Sequence, residues 1–180
     1  MSKEITDFNL LATAANYIKN DIEKDRKEWE DSPFYWILRL PAGSKGKLGS
    51  NLIKQWCALK GLTIGTSPDS EADLLINNHR VEVKFSSLWE TGIYRFQQIR
   101  DQNYEFIICL GISPHDAHCW VIDKATLREK VIGHMGQHTG RASKETSWLT
   151  VNPKSPPDWL MEFGGSLSEA YDVLKILKKK

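Results

Sequence analysis

Two acids and a lysine in the middle of the chain have the types and spacing needed for metal-assisted hydrolysis. The segment DLLINNHRVEVK places Asp73 at the head of one apolar run and Glu82 and Lys84 in the next. On a hairpin the two acids can meet across the turn, and residues 82 and 84 project from the same face of their strand. With the carbonyl of Val83, the two carboxylates offer the hard oxygen ligands that Mg²⁺ prefers. The pattern predicts a Mg²⁺ site at which Lys84 orients or deprotonates an attacking water.

A β-hairpin and a preceding helix are the elements that must position these residues. The run ADLLINNHRVEVKF contains two β-type stretches joined by Asn77-Asn78, a pair suited to a tight turn. Before the hairpin, apolar residues recur at intervals of three and four: Leu48, Leu52, Ile53, Trp56 and Leu59. This spacing predicts a core helix from about Gly49 to Lys60, with Gly61 as its C-cap.

The remaining segments predict a mixed α/β arrangement. LTIGT is a short strand before the hairpin, YEFIICLGI is a strand buried on both faces, and HCWVIDK is a further strand. Between the hairpin and the buried strand, TGIYRFQQIRDQ predicts a helix because four residues align at helical spacing: Ile93, Phe96, Gln97 and Arg100. Residues 5–31 predict one or two helices. The tail from Thr126 is loop-rich and closes with a helix capped by Ser166 or Ser168.

Length and composition are those of one globular domain. The 180 residues are 41% hydrophobic and 26% charged, with no apolar run long enough for a membrane span and no secretory signal. The three cysteines have apolar or aromatic neighbours and no paired spacing, which indicates reduced thiols. We therefore expect a cytoplasmic protein without membrane contact. Its single domain, 1–180, would comprise an N-terminal helical segment (1–44), a catalytic core (45–125) and a loop-rich C-terminal part with a terminal helix (126–180).

The charge balance excludes one class of nucleic-acid binder. A net charge of +1 and a pI of about 7.7 argue against a protein that holds nucleic acid by overall basicity. Residues 1–32 carry eight acids and five bases, so fifteen acids and nineteen bases fall in residues 33–180. The second part therefore permits a local basic cleft.

An acid followed by Glu82-Val83-Lys84, between a core helix and an apolar strand, resembles the PD-(D/E)xK nuclease superfamily. In these restriction-endonuclease-like proteins an Asp, a Glu and a Lys lie on a β-hairpin, and the resemblance covers about residues 45–125. It implies an α/β fold with a mixed central sheet flanked by helices. It also implies that Asp73, Glu82 and Lys84 are catalytic, with Asp73, Glu82 and Val83 as Mg²⁺ ligands.

The same resemblance implies an activity and partners. We expect hydrolysis of phosphodiester bonds in double-stranded DNA by a type II restriction endonuclease that acts as a homodimer. A cognate DNA methyltransferase would then be its genetic partner. Three alternatives stay open at this point: a structure-selective repair or junction nuclease, a DNA-binding module of the same fold that does not cleave, and an unrelated α/β protein in which the triplet is accidental and Glu82 and Lys84 form a surface ion pair.

Two site assignments also have alternatives. Asp69, in the pair Pro68-Asp69, competes with Asp73 as the first acid, although Asp69 belongs to the turn-like stretch SPDSE. Many relatives carry a glutamate near the start of the core helix, where this chain has Gly49-Ser50-Asn51. A ligand for a second metal ion would therefore be absent or would come from one of three N-terminal glutamates: Glu23, Glu28 or Glu30.

Polar residues around the motif are the candidates for DNA contact. Ser86 and Ser87 follow directly from the motif strand, and Gln97, Gln98 and Arg100 lie on the polar face of the predicted helix. A later loop contributes Gln137, Arg141 and Lys144, whose side chains suit base edges or phosphates. The serines could equally be turn residues, and Gln and Arg are common on exposed helix faces.

Overall fold

A mixed β-sheet forms the centre of the molecule in the computed structural model, which describes residues 8, 11–16, 27–136 and 146–177. The strands are β1 (Ile64–Thr66), β2 (Leu74–Ile76), β3 (His79–Ser87), β4 (Tyr94–Ile99), β5 (Phe106–Ile112), β6 (Ala117–Asp123), β7 (Ser147–Val151) and β8 (Gly164–Ser166). The helices are α1 (Tyr35–Leu38), α2 (Ala42–Leu59), α3 (Lys124–Lys130) and α4 (Leu167–Ile176), with 3-10 turns at Lys27–Trp29 and Asp158–Phe163. No helix in these ranges is long and apolar enough to cross a membrane.

The sheet has the order β1-β2-β3-β5-β6-β8, while β4 and β7 form a separate antiparallel ribbon. Only the pairing of β3 with β5 is parallel; the other neighbouring strands are antiparallel. One face packs Val83 and Ile108 against α2 and α4, and the other packs Cys109 and Trp120 against the ribbon and α3. The predicted mixed central sheet flanked by helices is confirmed.

The predicted hairpin is confirmed, and its turn lies at the predicted residues. Asn77 and Asn78 have φ of 52° and 68°, the left-handed conformation that tight hairpin turns require and that Asn tolerates. The pairing runs from Ile76 opposite His79 to Leu74 opposite Val81. Because β2 has three residues and β3 has nine, residues 82–87 extend beyond the last β2 pair. Among the described residues, no strand covers this edge of β3.

Helix α2 is confirmed, but it begins at Ala42 rather than at Gly49. Glycine is a poor helix former, so the first two turns of α2, which contain Gly43 and Gly46, were not predicted to be helical. Gly49 has a packing role, because a Cβ placed there would lie 2.5 Å from Cβ of Phe85 on β3. At the other end Gly61 has φ of 78° and the Leu62 amide donates to the Cys57 carbonyl at 3.0 Å, as expected of a glycine C-cap.

The helix predicted over TGIYRFQQIRDQ is wrong, because Tyr94–Ile99 is strand β4. Tyr94 and Phe96 face the core two residues apart, but a bulge after Phe96 moves the next buried residue to Ile99. Gln98 takes a φ of 56° in that bulge. The extra residue increases the spacing between successive buried residues from two to three, and a spacing of three is typical of a helix. The partner strand β7 comes from the tail, in which the sequence indicated no strand.

Both ends of the chain agree in part with the prediction. Ser166 caps α4: its hydroxyl accepts from the Glu169 amide at 3.2 Å, and the Glu169 carboxylate accepts from the Ser166 amide at 2.8 Å. In the predicted N-terminal helical segment, residues 11–16 are helical. The rest of that segment before Lys27 lies almost entirely outside the described residues.

Candidate functional site

The uncovered edge of β3 forms the floor of a cleft between α2 and β4. Two adjoining cavities of about 490 Å³ each make up this cleft, and they share Gly46, Val83 and Lys84. The first cavity also contains Asp73, Glu82, Ser50 and Asn51. The second contains Lys45, Ser86, Ser87, Arg95, Gln97 and Gln98. The three residues of the sequence motif therefore meet in one cavity.

Asp73 is exposed and is fixed by the strand that carries the other two motif residues. Its amide donates to the Val81 carbonyl at 2.9 Å, and its Oδ2 accepts from the Val83 amide at 2.8 Å. The carboxylate thus accepts the β3 hydrogen bond that a main-chain carbonyl would accept if β2 continued. Because the N–H and C=O of one strand residue point to the same side, the Val83 carbonyl is directed toward this uncovered edge as well.

Glu82 and Lys84 form an ion pair that is largely shielded from water. Lys84 Nζ donates to Glu82 Oε1 at 2.7 Å, and the two side chains are 17% and 11% exposed. Burial raises the pKa of the Glu82 carboxyl above its ordinary value; the charge and hydrogen bond of Lys84 oppose this effect, Asp73 adds to it, and Arg100 opposes it. A further cation beside Glu82 would act in the same direction as Lys84 and favour the ionised carboxylate.

Asp69, the competing first acid, lies outside the cleft. It pairs with Arg80 and also accepts from the Glu71 amide at 2.9 Å, and these contacts lower the pKa of its carboxyl. Neither cavity of the cleft contains it. The geometry favours Asp73 as the acid that acts with Glu82.

The cleft is basic around its two acids. Its described lining includes five cationic side chains, Lys45, Lys47, Lys54, Lys84 and Arg95, whereas Asp73 and Glu82 are its acids. The local basic cleft that the charge split permits is present at this place, despite an overall charge of +1. Such a lining attracts a polyanion and leaves a negative spot only at the acid pair.

The candidates for DNA contact are distributed unevenly. Ser87, Gln97 and Gln98 line the cleft, and Arg100 lies near enough to lower the pKa of Glu82. Ser86 also lines the cleft but is 5% exposed, and its hydroxyl is already hydrogen-bonded to the Arg95 amide and the Ser87 carbonyl, so its contact with DNA stays a prediction. Three further candidates lie outside the described residues: Gln137, Arg141 and Lys144.

The two described N-terminal glutamates, Glu28 and Glu30, do not line the cleft. Glu28 lines a different cavity, beside Leu88 and His115, and Glu30 lines neither half of the cleft. Glu23 lies outside the described residues. Ser50 and Asn51, in the middle of α2, line the same cavity as Asp73.

Arg95 is a residue of the cleft that the sequence reasoning missed. Its guanidinium stacks between Trp89 and Trp148, which are 59 residues apart in the chain. The helix prediction for residues 91–102 concealed it. The alternation of Tyr94, Arg95 and Phe96 was the signal that could have placed Arg95 on the solvent side of a strand.

Comparisons with known proteins give a similarity to solved structures but not to a family. No protein-family model matches the chain, and no curated protein matches it. Among solved structures, the bacterial homing endonuclease I-Ssp6803I is similar, with a TM-score of 0.46 and 14% identity over 74% of this chain and 91% of that one. A similarity of this size assigns neither a family nor an activity to the chain.

Proposed function

We propose that the chain is a Mg²⁺-dependent endonuclease that hydrolyses phosphodiester bonds in double-stranded DNA. The observation that supports this most directly is the convergence of Asp73, Glu82 and Lys84 at the uncovered edge of β3, inside a cleft lined by cations. The cations suit a phosphate backbone, and the two acids at the bottom of the cleft repel that backbone unless a cation lies between them.

The donor set fits Mg²⁺. Within the described residues no group of three or more His, Cys, Asp or Glu side chains gathers to hold a metal. A full protein cage is not required, because Mg²⁺ keeps several waters and takes one or two carboxylates. Asp73 and Glu82 would supply those carboxylates, and the Val83 carbonyl would supply a third oxygen.

Each residue of the motif then has a defined task. Bound Mg²⁺ supplies a Lewis acid and makes a coordinated water a stronger nucleophile. Asp73 is held in place by the Val83 amide, so its carboxylate has little freedom to lose on binding. Lys84 orients the attacking water and stabilises negative charge at the reacting phosphate, on the strand face that it shares with Glu82.

We extend the proposal to a type II restriction enzyme. One cleft of this kind cuts one strand, so a homodimer with a two-fold axis would cut both strands of a palindromic site. Such an enzyme would act in the cytoplasm beside a cognate DNA methyltransferase that protects the host DNA. Gln97 and Gln98, which line the second cavity, and Arg100, near Glu82, would contact bases or phosphates.

The test is incubation of the purified protein with unmethylated phage DNA, in Mg²⁺ or in EDTA, followed by gel electrophoresis. Discrete bands that require Mg²⁺ support a site-specific endonuclease, and a smear or cutting of branched DNA alone supports a structure-selective nuclease. Lys84→Ala should abolish cutting, whereas the exposed control Lys154→Ala should cut normally. If the folded protein binds these DNAs but cleaves none of them, the proposal is wrong and the chain is a DNA-binding module that does not cleave.

A further inference from the structure

Arg95 is held rigidly in the wall of the cleft. Its Cζ lies 4.3 Å from the ring centroid of Trp89 and 4.9 Å from that of Trp148. Tyr94 and Phe96 on either side of it face the sheet, so Arg95 lies on the outer face of the β4–β7 ribbon. Stacking between two indoles removes most of the rotational freedom of a long side chain before any ligand arrives.

The positive charge of Arg95 has no partner within the described part of the chain. No described carboxylate lies within 4.0 Å of it, and its Nε is buried without an acceptor. Indole faces attract a cation, but they do not accept its in-plane N–H groups. A guanidinium with a buried, unsatisfied N–H costs free energy, and an anion with several acceptor oxygens that binds the guanidinium would compensate its charge.

A short chain of contacts fixes Arg95 relative to the motif. Ser86 Oγ accepts from the Arg95 amide at 3.0 Å and lies two residues after Lys84, on the same face of β3. The same hydroxyl donates to the Ser87 carbonyl at 2.9 Å. Ser86 is therefore a positioning residue that holds the β4 main chain at Arg95 against the strand of the reactive residues.

We propose that Arg95 binds a phosphate of the DNA backbone in the cleft, rather than a base. This proposal rests on the proposed function, since DNA supplies the phosphate. The guanidinium fork matches two phosphate oxygens, and a neutral base would leave the charge of Arg95 without compensation. A side chain held between two rings suits a contact with a fixed position on the DNA backbone. Lys45 and Lys84, in the same cavity, would face the same DNA strand.

The experiment measures binding of a fluorescent duplex over a range of salt concentrations, with Ca²⁺ in place of Mg²⁺. Arg95→Gln should weaken binding by about ten- to a hundred-fold and reduce the slope of log K against log [salt] by about 0.9. Arg95→Lys keeps the charge and loses the fork, so it should bind more weakly with an unchanged slope. Arg128→Gln is the matched control, because Arg128 lies in another cavity and pairs with Asp101; both its affinity and its slope should equal those of the wild type.

Unchanged affinity and slope in folded Arg95→Gln would overturn the inference. A loss confined to some sequences, with an unchanged slope, would also overturn it by making Arg95 a base-reading residue. If thermal unfolding shows that Arg95→Gln does not fold, Arg95→Lys decides: an equal loss of affinity on all sequences supports the phosphate contact, and wild-type binding or a loss confined to some sequences overturns it. Mg²⁺-dependent cleavage by the same wild-type preparation tests the nuclease separately, so either proposal can fail while the other stands.

Discussion

The Oδ2 atom of Asp73 accepts a hydrogen bond from the amide of Val83 at 2.8 Å, at the point where β2 stops pairing with β3. The first acid is thereby tied to the residue that separates Glu82 from Lys84. This bond fixes the relative positions of all three motif residues without a metal, because it joins the end of one strand to the middle of the next. It also leaves the second carboxylate oxygen of Asp73 for another ligand.

The first prediction separates the two candidate acids. Asp73→Asn retains an oxygen that can accept from Val83, so the fold should survive, but the loss of a carboxylate should reduce Mg²⁺-dependent cleavage by at least about a hundred-fold. Asp69→Asn is the matched control, since Asp69 lies on the surface in an ion pair with Arg80. Cleavage rates of the two variants on one DNA check this. Normal cutting by Asp73→Asn, or a comparable loss in Asp69→Asn, would contradict it.

The second prediction concerns metal binding in the absence of DNA. A ligand that binds only the folded state raises its stability by RT ln(1 + [L]/Kd), which is about 2.7 kcal/mol at a hundred times Kd. Saturating Ca²⁺ should therefore raise the Tm of the wild type, and Asp73→Asn should remove most of this increase. Asp69→Asn should retain it. An equal rise in all three proteins would place the bound cation elsewhere.

The third prediction is a pH dependence of stability caused by Glu82. Burial raises the pKa of this carboxyl in the folded protein above its ordinary value near 4.5. A raised folded pKa contributes stability below the unfolded pKa, and that contribution is lost as the pH rises through the folded pKa. Glu82→Gln does not titrate, so the stability of the wild type relative to Glu82→Gln should fall as the pH rises above about 4.5. Urea unfolding of both proteins in EDTA, from pH 4 to pH 8, measures this difference.

The sign of that difference is the critical outcome. A wild-type protein that gains stability over Glu82→Gln with rising pH would mean that Lys84 outweighs burial at Glu82. Added Ca²⁺ should diminish the dependence, because a cation at the acid pair favours the ionised carboxyl. A functional carboxylate in a buried position is commonly destabilising, and a lower stability of the wild type than of Glu82→Gln near pH 8 would agree with this.

The sequence predicted the local features of this site and missed those created by distant contacts. The hairpin turn at Asn77 and Asn78, the shared face of residues 82 and 84, and the cap at Ser166 depend on neighbours within a few positions. The pairing of β4 with β7 joins segments about fifty residues apart, and no local pattern encodes it. The Arg95 contact with Trp148 depends on that pairing, so the sequence could not predict it either. The bulge at Gln98 gave the apolar residues a helix-like spacing, which led to the wrong helix prediction.

The last prediction uses two glycines of α2 that differ in their surroundings. Gly46 has nothing within 4 Å of an added Cβ, whereas Gly49 would place that atom 2.5 Å from Cβ of Phe85. Alanine is a better helix former than glycine by about 1 kcal/mol, so Gly46→Ala should raise the free energy of unfolding by about 0.5 to 1 kcal/mol. Gly49→Ala should lower it by about 1 to 3 kcal/mol, because α2 must move away from β3.

For Gly46→Ala, DNA binding should change in the opposite direction to stability. Gly46 lines both halves of the cleft, so its added methyl group occupies space that DNA would need and should weaken DNA binding in a more stable protein. Chemical denaturation and duplex binding, measured on the same samples, test both effects. If Gly46→Ala is more stable and binds DNA as the wild type does, the helix wall does not approach the DNA closely. In that case the close approach of a ligand does not explain the glycine at position 46.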